Sequence, residues 1–180
     1  MIYMFLANGF EEIEALATLD ILRRAQIEVQ TVSVQGNIVT GSHGISVEAD
    51  INLLEVDKNA FKGVILPGGM PGTTNLQNSS EVLELVRYSY EKGFLTAAIC
   101  AAPMVLGELG LLNGKTATCY PGFEKHLKGA TISAEPAVSC DNIITGKGAG
   151  AVFDFAFKIV EKIKGEDIVN ELKRSMQCTG

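Results

Sequence analysis

Cys100 ends an apolar run in LTAAICAAPM (95–104), with small residues and a proline directly behind it. A strand that turns sharply into a helix pushes the side chain at the junction out of the sheet. The helix is expected to begin near Ala101 or Ala102, with Pro103 in its first turn, where a proline costs no intrahelical bond. The thiol would then face free amides and the positive end of the helix dipole, which lower a cysteine pKa. The bland alternative is a small buried hydrophobe, and the local pattern leaves the two readings even. Cys119, Cys140 and Cys178 have no such setting and read as structural or incidental thiols.

Two further groups could serve that thiol. Pro67-Gly68-Gly69 ends the apolar run VILPGG, and two glycines let backbone amides approach a ligand closely. Such amides can hold an oxyanion or a carbonyl oxygen; a tight turn needing positive φ is the plain alternative. The stretch GGMPGTTN lacks the GK[ST] ending of a phosphate loop. Glu11, Glu12 and Glu14 open a helical segment, where acids ordinarily serve the dipole. If that turn shares a rim with Cys100, one carboxyl would meet the thiol as hydrogen-bond donor and proton shuttle. Burial and the neighbouring negative charge would have to raise its pKa.

The elements that must position these groups alternate strand and helix. Apolar strand-like runs fall at 2–7, 28–34, 61–69 and 94–99, with shorter ones at 115–120 and 142–148. Residues 38–50 read as a hairpin or two short strands around Gly41–Gly44. Helical spacing covers 10–25, through Phe10, Ile13, Leu16 or Ala17, and Ile21, and recurs over 79–93, 101–110, 151–164 and 166–176. This order predicts an α/β fold, a mostly parallel sheet with helices on both faces. Ligands then bind beyond the carboxyl ends of the strands, where Asn8-Gly9, Gly68-Gly69 and Cys100 all fall.

The chain has 180 residues, enough for one domain over 1–180 with a sizeable core. A net charge of −6 without a basic block argues against nucleic acid as a partner. No run is apolar enough for a membrane span, and MIYMFLANG has no basic region of a signal peptide, so a cytoplasmic protein is expected. The four cysteines form no CxxC pair, and the two histidines, His43 and His126, add no zinc-like spacing; no metal site is expected.

Four stretches in order, LANGFEEIEA, VILPGGMPG, AAICAAP and TGKGAGAVFDFA, resemble signatures of the ThiJ/PfpI superfamily, in its Parkinson-disease-protein (protein deglycase) branch. The resemblance implies a flavodoxin-like three-layer sandwich, a homodimer, and no organic cofactor. It matches Cys100 to the reactive cysteine and Glu12 to the protonated glutamate beside it. It also matches Gly69 and Ala101 to the residues whose amides form the oxyanion pocket, with Gly68 adjoining. Arg24 corresponds to an arginine near the dimer contact, and Gly148 and Gly150 to a glycine loop in which Ala149 replaces a frequent proline.

Two positions depart from the pattern. Tyr120, in TATCYPG, stands where human-type members carry a histidine, and His43 stands where some relatives line the pocket mouth with an arginine. A tyrosine with a pKa near ~10 is a poor base at neutral pH, which leaves Glu12 as the expected proton carrier. Peptidase relatives place a histidine directly after the cysteine, where this chain has Ala101. Class I glutamine amidotransferases use a G-x-C-x-G elbow and a later His-x-Glu, both missing here. The implied activity is a glyoxalase or deglycase acting on small 2-oxoaldehydes or glycated adducts. The alternatives are a non-catalytic redox sensor or stress-protective chaperone using the same cysteine, or a binding module that kept only the fold.

Overall fold

The computed structural model describes residues 1–178. The strands are β1 (Ile2–Leu6), β2 (Val29–Ser33), β3 (Ile38–Thr40), β4 (Ser46–Glu48), β5 (Ile51–Asn52), β6 (Gly63–Leu66), β7 (Leu95–Ile99), β8 (Thr116–Ala117), β9 (Thr131–Ile132), β10 (Ala137–Cys140) and β11 (Ile143–Gly146). The helices are α1 (Glu12–Arg24), α2 (Gly72–Gln77), α3 (Ser80–Glu91), α4 (Pro103–Glu108), α5 (Val152–Lys164) and α6 (Glu166–Ser175).

Seven strands form one sheet in the order β10-β11-β7-β6-β1-β2-β5. Its neighbours run parallel except β10, which lies antiparallel on β11. Every residue of β1, β6, β7 and β11 is buried. That burial explains their unbroken apolar character, since a sheet covered on both faces has no solvent side to alternate toward. One face packs on α1, α5 and α6 through Ile21, Leu22, Phe155, Ile159 and Leu172. The other packs on α2, α3 and α4 through Leu76, Val82, Leu85 and Val105. This is the mostly parallel sheet with helices on both faces that the alternating pattern predicts, and the flavodoxin-like sandwich that the family resemblance implies.

From β1 the chain passes through α1 to β2 on one side, while β6 lies on the other side of β1. The strand order therefore reverses between β1 and β6, and a crevice opens there beyond the strand ends. The loops that follow β1, β6 and β7 meet at that end.

Three local expectations need correction. Of the run 115–120 only Thr116–Ala117 is strand, and it pairs with Thr131–Ile132 outside the main sheet. β10 has no counterpart in the sequence reading because it is a half-exposed edge with no clear apolar alternation. The α1 stripe is also differently phased: its buried residues are Glu12, Glu14, Ala15, Thr18, Ile21 and Leu22, while Ile13 is 55% exposed.

Candidate active site

Cys100 follows the last residue of β7 and has φ +65, the left-handed region that β-carbon-bearing residues avoid at a cost of about 1 kcal/mol or more. Two backbone bonds hold it there. Its N–H donates to Gly146 O (2.9 Å), and its carbonyl accepts from Tyr120 N–H (2.8 Å). Ala101 and Ala102 are buried, so larger side chains would not fit behind the elbow. Pro103 then takes the first position of α4 as expected.

The three acids at the start of α1 have three separate tasks. Glu11 caps the helix: its carboxylate accepts from Glu14 N–H at 2.7 Å. Glu12 turns to the β3–β4 hairpin. Its Oε1 accepts from His43 N–H (2.7 Å) and Ile45 N–H (3.3 Å), and its Oε2 lies 2.9 Å from His43 Nδ1. Gly41 lies directly beneath it, and a Cβ there would overlap the Glu12 carboxyl and displace it. Glu14 is the residue that reaches the thiol. Its carboxyl hydrogen-bonds Cys100, and its Oε2 accepts from Gly68 N–H at 2.9 Å. The expectation that Glu12 meets Cys100 is thus corrected to Glu14, because the helix begins at Glu12 and turns position 14, not 12, toward the sheet end.

Glycine at 68 is a condition of that meeting. A Cβ on Gly68 would lie 2.6 Å from Cys100 Cβ and 2.7 Å from Glu14 Oε2. Gly68 O also accepts from Glu11 N–H (2.9 Å), so the turn after β6 clamps the start of α1. Gly69 has φ +87, and a Cβ there would lie 2.4 Å from Glu11 N. The amides of Ala101 and Gly69 act as hydrogen-bond donors toward the Cys100 sulfur.

The electrostatics differ from the low-pKa thiol expected. Glu14 is 2% exposed, and burial first, then the charge of Glu11, raises its carboxyl to about 7 against the hydrogen bonds from Cys100 and Gly68. Burial, the charge of Glu14 and the hydrogen bond to it push the Cys100 thiol up to about 12, while the amides of Ala101 and Gly69 pull it down. The push from Glu14 exists only while that carboxyl is ionised. Thiol and carboxyl therefore titrate as one unit, and its first proton leaves near neutrality.

Glu12 is the opposite case. Burial raises its pKa, but the His43 ring and the N–H groups of Glu12, His43 and Ile45 outweigh that and lower it to about 2. The hydrogen bond that the His43 ring donates to the Glu12 carboxylate raises the pKa of His43, whose side chain is 70% exposed. Glu11, Glu12 and His43 bring ligand atoms within 4.8 Å of one another. Both Glu12 oxygens already accept hydrogen bonds, so the cluster works as a latch on the hairpin.

The remaining expected residues divide. Tyr120 is joined to Cys100 through its backbone, but its ring turns outward, 51% exposed, against Gly148 and Phe123. Gly148 and Gly150 line a cleft beside that ring, not the thiol itself. Arg24 is not brought to the site: it ends α1 and pairs with Asp20 at 2.7 Å. His126 pairs with Glu108 at 3.1 Å on the surface. Among the described residues no helix is long and apolar enough to cross a membrane.

The chain matches the DJ-1/PfpI family over residues 1–162. It is 37% identical over 164 residues to protein DJ-1 homolog B of Arabidopsis thaliana, covering 89% of this chain but only 37% of that longer protein. It is 32% identical over 167 residues to a Caenorhabditis elegans protein named glutathione-independent glyoxalase DJR-1.2, covering 92% of this chain and 89% of the relative. The crystal structure of Drosophila melanogaster DJ-1beta superposes with a TM-score of 0.94 at 35% identity, over 99% of this chain and 98% of that one. With the family match running from β1 into α5 and the fold shared almost end to end, the chain belongs to the DJ-1/PfpI family.

Proposed function

We propose that the protein is a cofactor-independent glyoxalase, converting small 2-oxoaldehydes to 2-hydroxy acids through Cys100, with Glu14 as the proton carrier. One observation carries the reading: a carboxyl that titrates near 7 is hydrogen-bonded to a thiol facing two backbone amides. A family relative named as a glyoxalase supports the same reaction class.

The chemistry balances with water alone. The Cys100 sulfur bonds to the aldehyde carbon of methylglyoxal, and the aldehyde oxygen takes up the pair's proton to give a hemithioacetal. The amides of Gly69 and Ala101 stabilise the charge that develops on oxygen. The Glu14 carboxylate removes the hydrogen on the former aldehyde carbon and delivers a proton to the neighbouring carbon, leaving a thioester. Water breaks the carbon–sulfur bond, releases lactate and returns the thiol. A group whose pKa lies near the working pH suits both directions of proton transfer. Adducts of the same aldehydes on amines or thiols fall within this reading as sources of the substrate.

The test is lactate formation from methylglyoxal. Cys100→Ser is expected to abolish it, and Glu14→Gln to lower kcat by roughly 10²–10⁴-fold, the usual contribution of a positioned acid–base group. Wild-type rates in either variant would overturn the assignment.

A further inference from the structure

The cleft beside Tyr120 is not used by the steps above. It has a volume of about 520 Å³ and is lined by Tyr120, Pro121, Pro136, Lys147, Gly148 and Ala149, among others. That is the size of a small-molecule site. Both walls spring from the segments that fix the Cys100 backbone. Tyr120 N–H donates to Cys100 O (2.8 Å), and Cys100 N–H donates to Gly146 O (2.9 Å), the residue just before the 147–151 wall. Each wall is thus tied to the Cys100 backbone by one hydrogen bond, directly at Tyr120 and through Gly146 on the other side.

The walls are largely apolar. The Tyr120 ring lies against Gly148, where a Cβ would come within 3.3 Å of Cδ2. Phe123 holds the ring edge-on, with centroids 6.4 Å apart at 77°. Two prolines, 121 and 136, complete the surface, and Lys147 turns its ammonium to Ala134 O (3.4 Å). Among the described residues no carboxylate lines the cleft, although the chain carries a net charge of −6. An aromatic ring fixed beside prolines favours a flat apolar group by stacking and burial.

We infer that this cleft is the subsite for the substituent on the ketone carbon of the 2-oxoaldehyde, and that it selects aryl-type 2-oxoaldehydes over methylglyoxal, with Tyr120 as the specificity-determining residue. The inference rests on the glyoxalase reading for its substrate class. The reaction is unchanged: phenylglyoxal and water give mandelate, with one hydrogen moved between neighbouring carbons and no oxidant consumed.

Two measurements separate the inference from the reading beneath it. In steady-state kinetics, phenylglyoxal is expected to show a kcat/KM about tenfold above that of methylglyoxal, and Tyr120→Ala to remove most of that ratio. In the Cys100→Ser variant, mandelate is expected to shift the NMR resonances of Tyr120 and Gly148, and lactate to leave them in place. Turnover of methylglyoxal with no aryl preference and no mandelate shift would overturn the inference and leave the glyoxalase reading standing. A mandelate shift with no turnover of either aldehyde would support the subsite and sink the glyoxalase reading.

Discussion

At the residue scale, the site depends on which state of one acid the thiol faces. Cys100 has opposing neighbours: the amides of Ala101 and Gly69 favour a thiolate, while burial and an ionised Glu14 oppose it. Removing the charge of Glu14 while keeping its shape isolates that opposition. In Glu14→Gln the side-chain carbonyl still accepts from Gly68 N–H, but no negative charge remains beside sulfur. The Cys100 thiol is expected to ionise at least ~1 pH unit lower in this variant than in wild type, since a like charge at contact distance raises a pKa by that order or more. The rate of iodoacetamide alkylation against pH, read at Cys100 by peptide mass, gives both midpoints. An unchanged or higher midpoint in Glu14→Gln would mean that burial alone holds the thiol up. This profile also explains why a pattern of residues was not enough to predict the pKa. The elbow, the small residues and Pro103 were legible as a device for presenting a thiol, whereas the charge beside it depended on a helix phase.

At the scale of elements, that phase decides which glutamate is which. Apolar spacing through Phe10, Ile13 and Ile21 suggests one face, but the buried stripe runs through Glu14, Thr18 and Ile21, at i, i+4 and i+7. A carboxylate in the position of a core residue was the available signal, masked because Ile13 looks like core and is exposed. Glu12 belongs instead to the junction of α1 with the β3–β4 hairpin, where it serves two backbone amides and the His43 ring. Glu12→Ala is therefore expected to destabilise the fold by about 1–3 kcal/mol, the usual worth of hydrogen bonds to a charged acceptor. The loss should be accompanied by faster hydrogen exchange at His43 and Ile45, with β1, β6 and β7 still protected. Gly41→Ala forces the same separation by contact, since its Cβ would overlap Glu12, and it should show the same local exchange. Equal exchange across the hairpin in wild type and both variants would show that the latch holds nothing.

At the scale of the whole molecule, the sheet and its two helical layers were legible because each central strand is buried on both faces and each long helix is amphipathic. The edge strand β10 and the short β8–β9 pair were not, because few of their residues carry a burial signal. The fold in turn sets a pH dependence that no single segment reveals. Glu14 is raised above its ordinary 4.5, to about 7, so the folded state holds a proton that the unfolded chain releases. Stability is then complete below about pH 4.5 for this group and falls as pH rises toward 7. Glu12 is lowered to about 2, so its contribution is present above its ordinary value and is lost as pH falls through that range toward 2. The raised pKa of His43 acts in the same sense as Glu14: its contribution is full below its ordinary 6.5 and fades as pH rises through its folded value. All three place the stability maximum on the acid side, near pH 5, instead of at neutrality. Urea midpoints measured from pH 3 to 8 should peak there and decline toward 8. The Glu14 part of that decline corresponds to about 2–3 kcal/mol, from the size of its shift. Glu14→Gln should flatten the branch between pH 5 and 8 and be more stable than wild type at pH 8. A wild-type maximum at or above pH 7, or a Glu14→Gln profile parallel to wild type, would mean that Glu14 is ionised throughout and cannot carry the proton assigned to it.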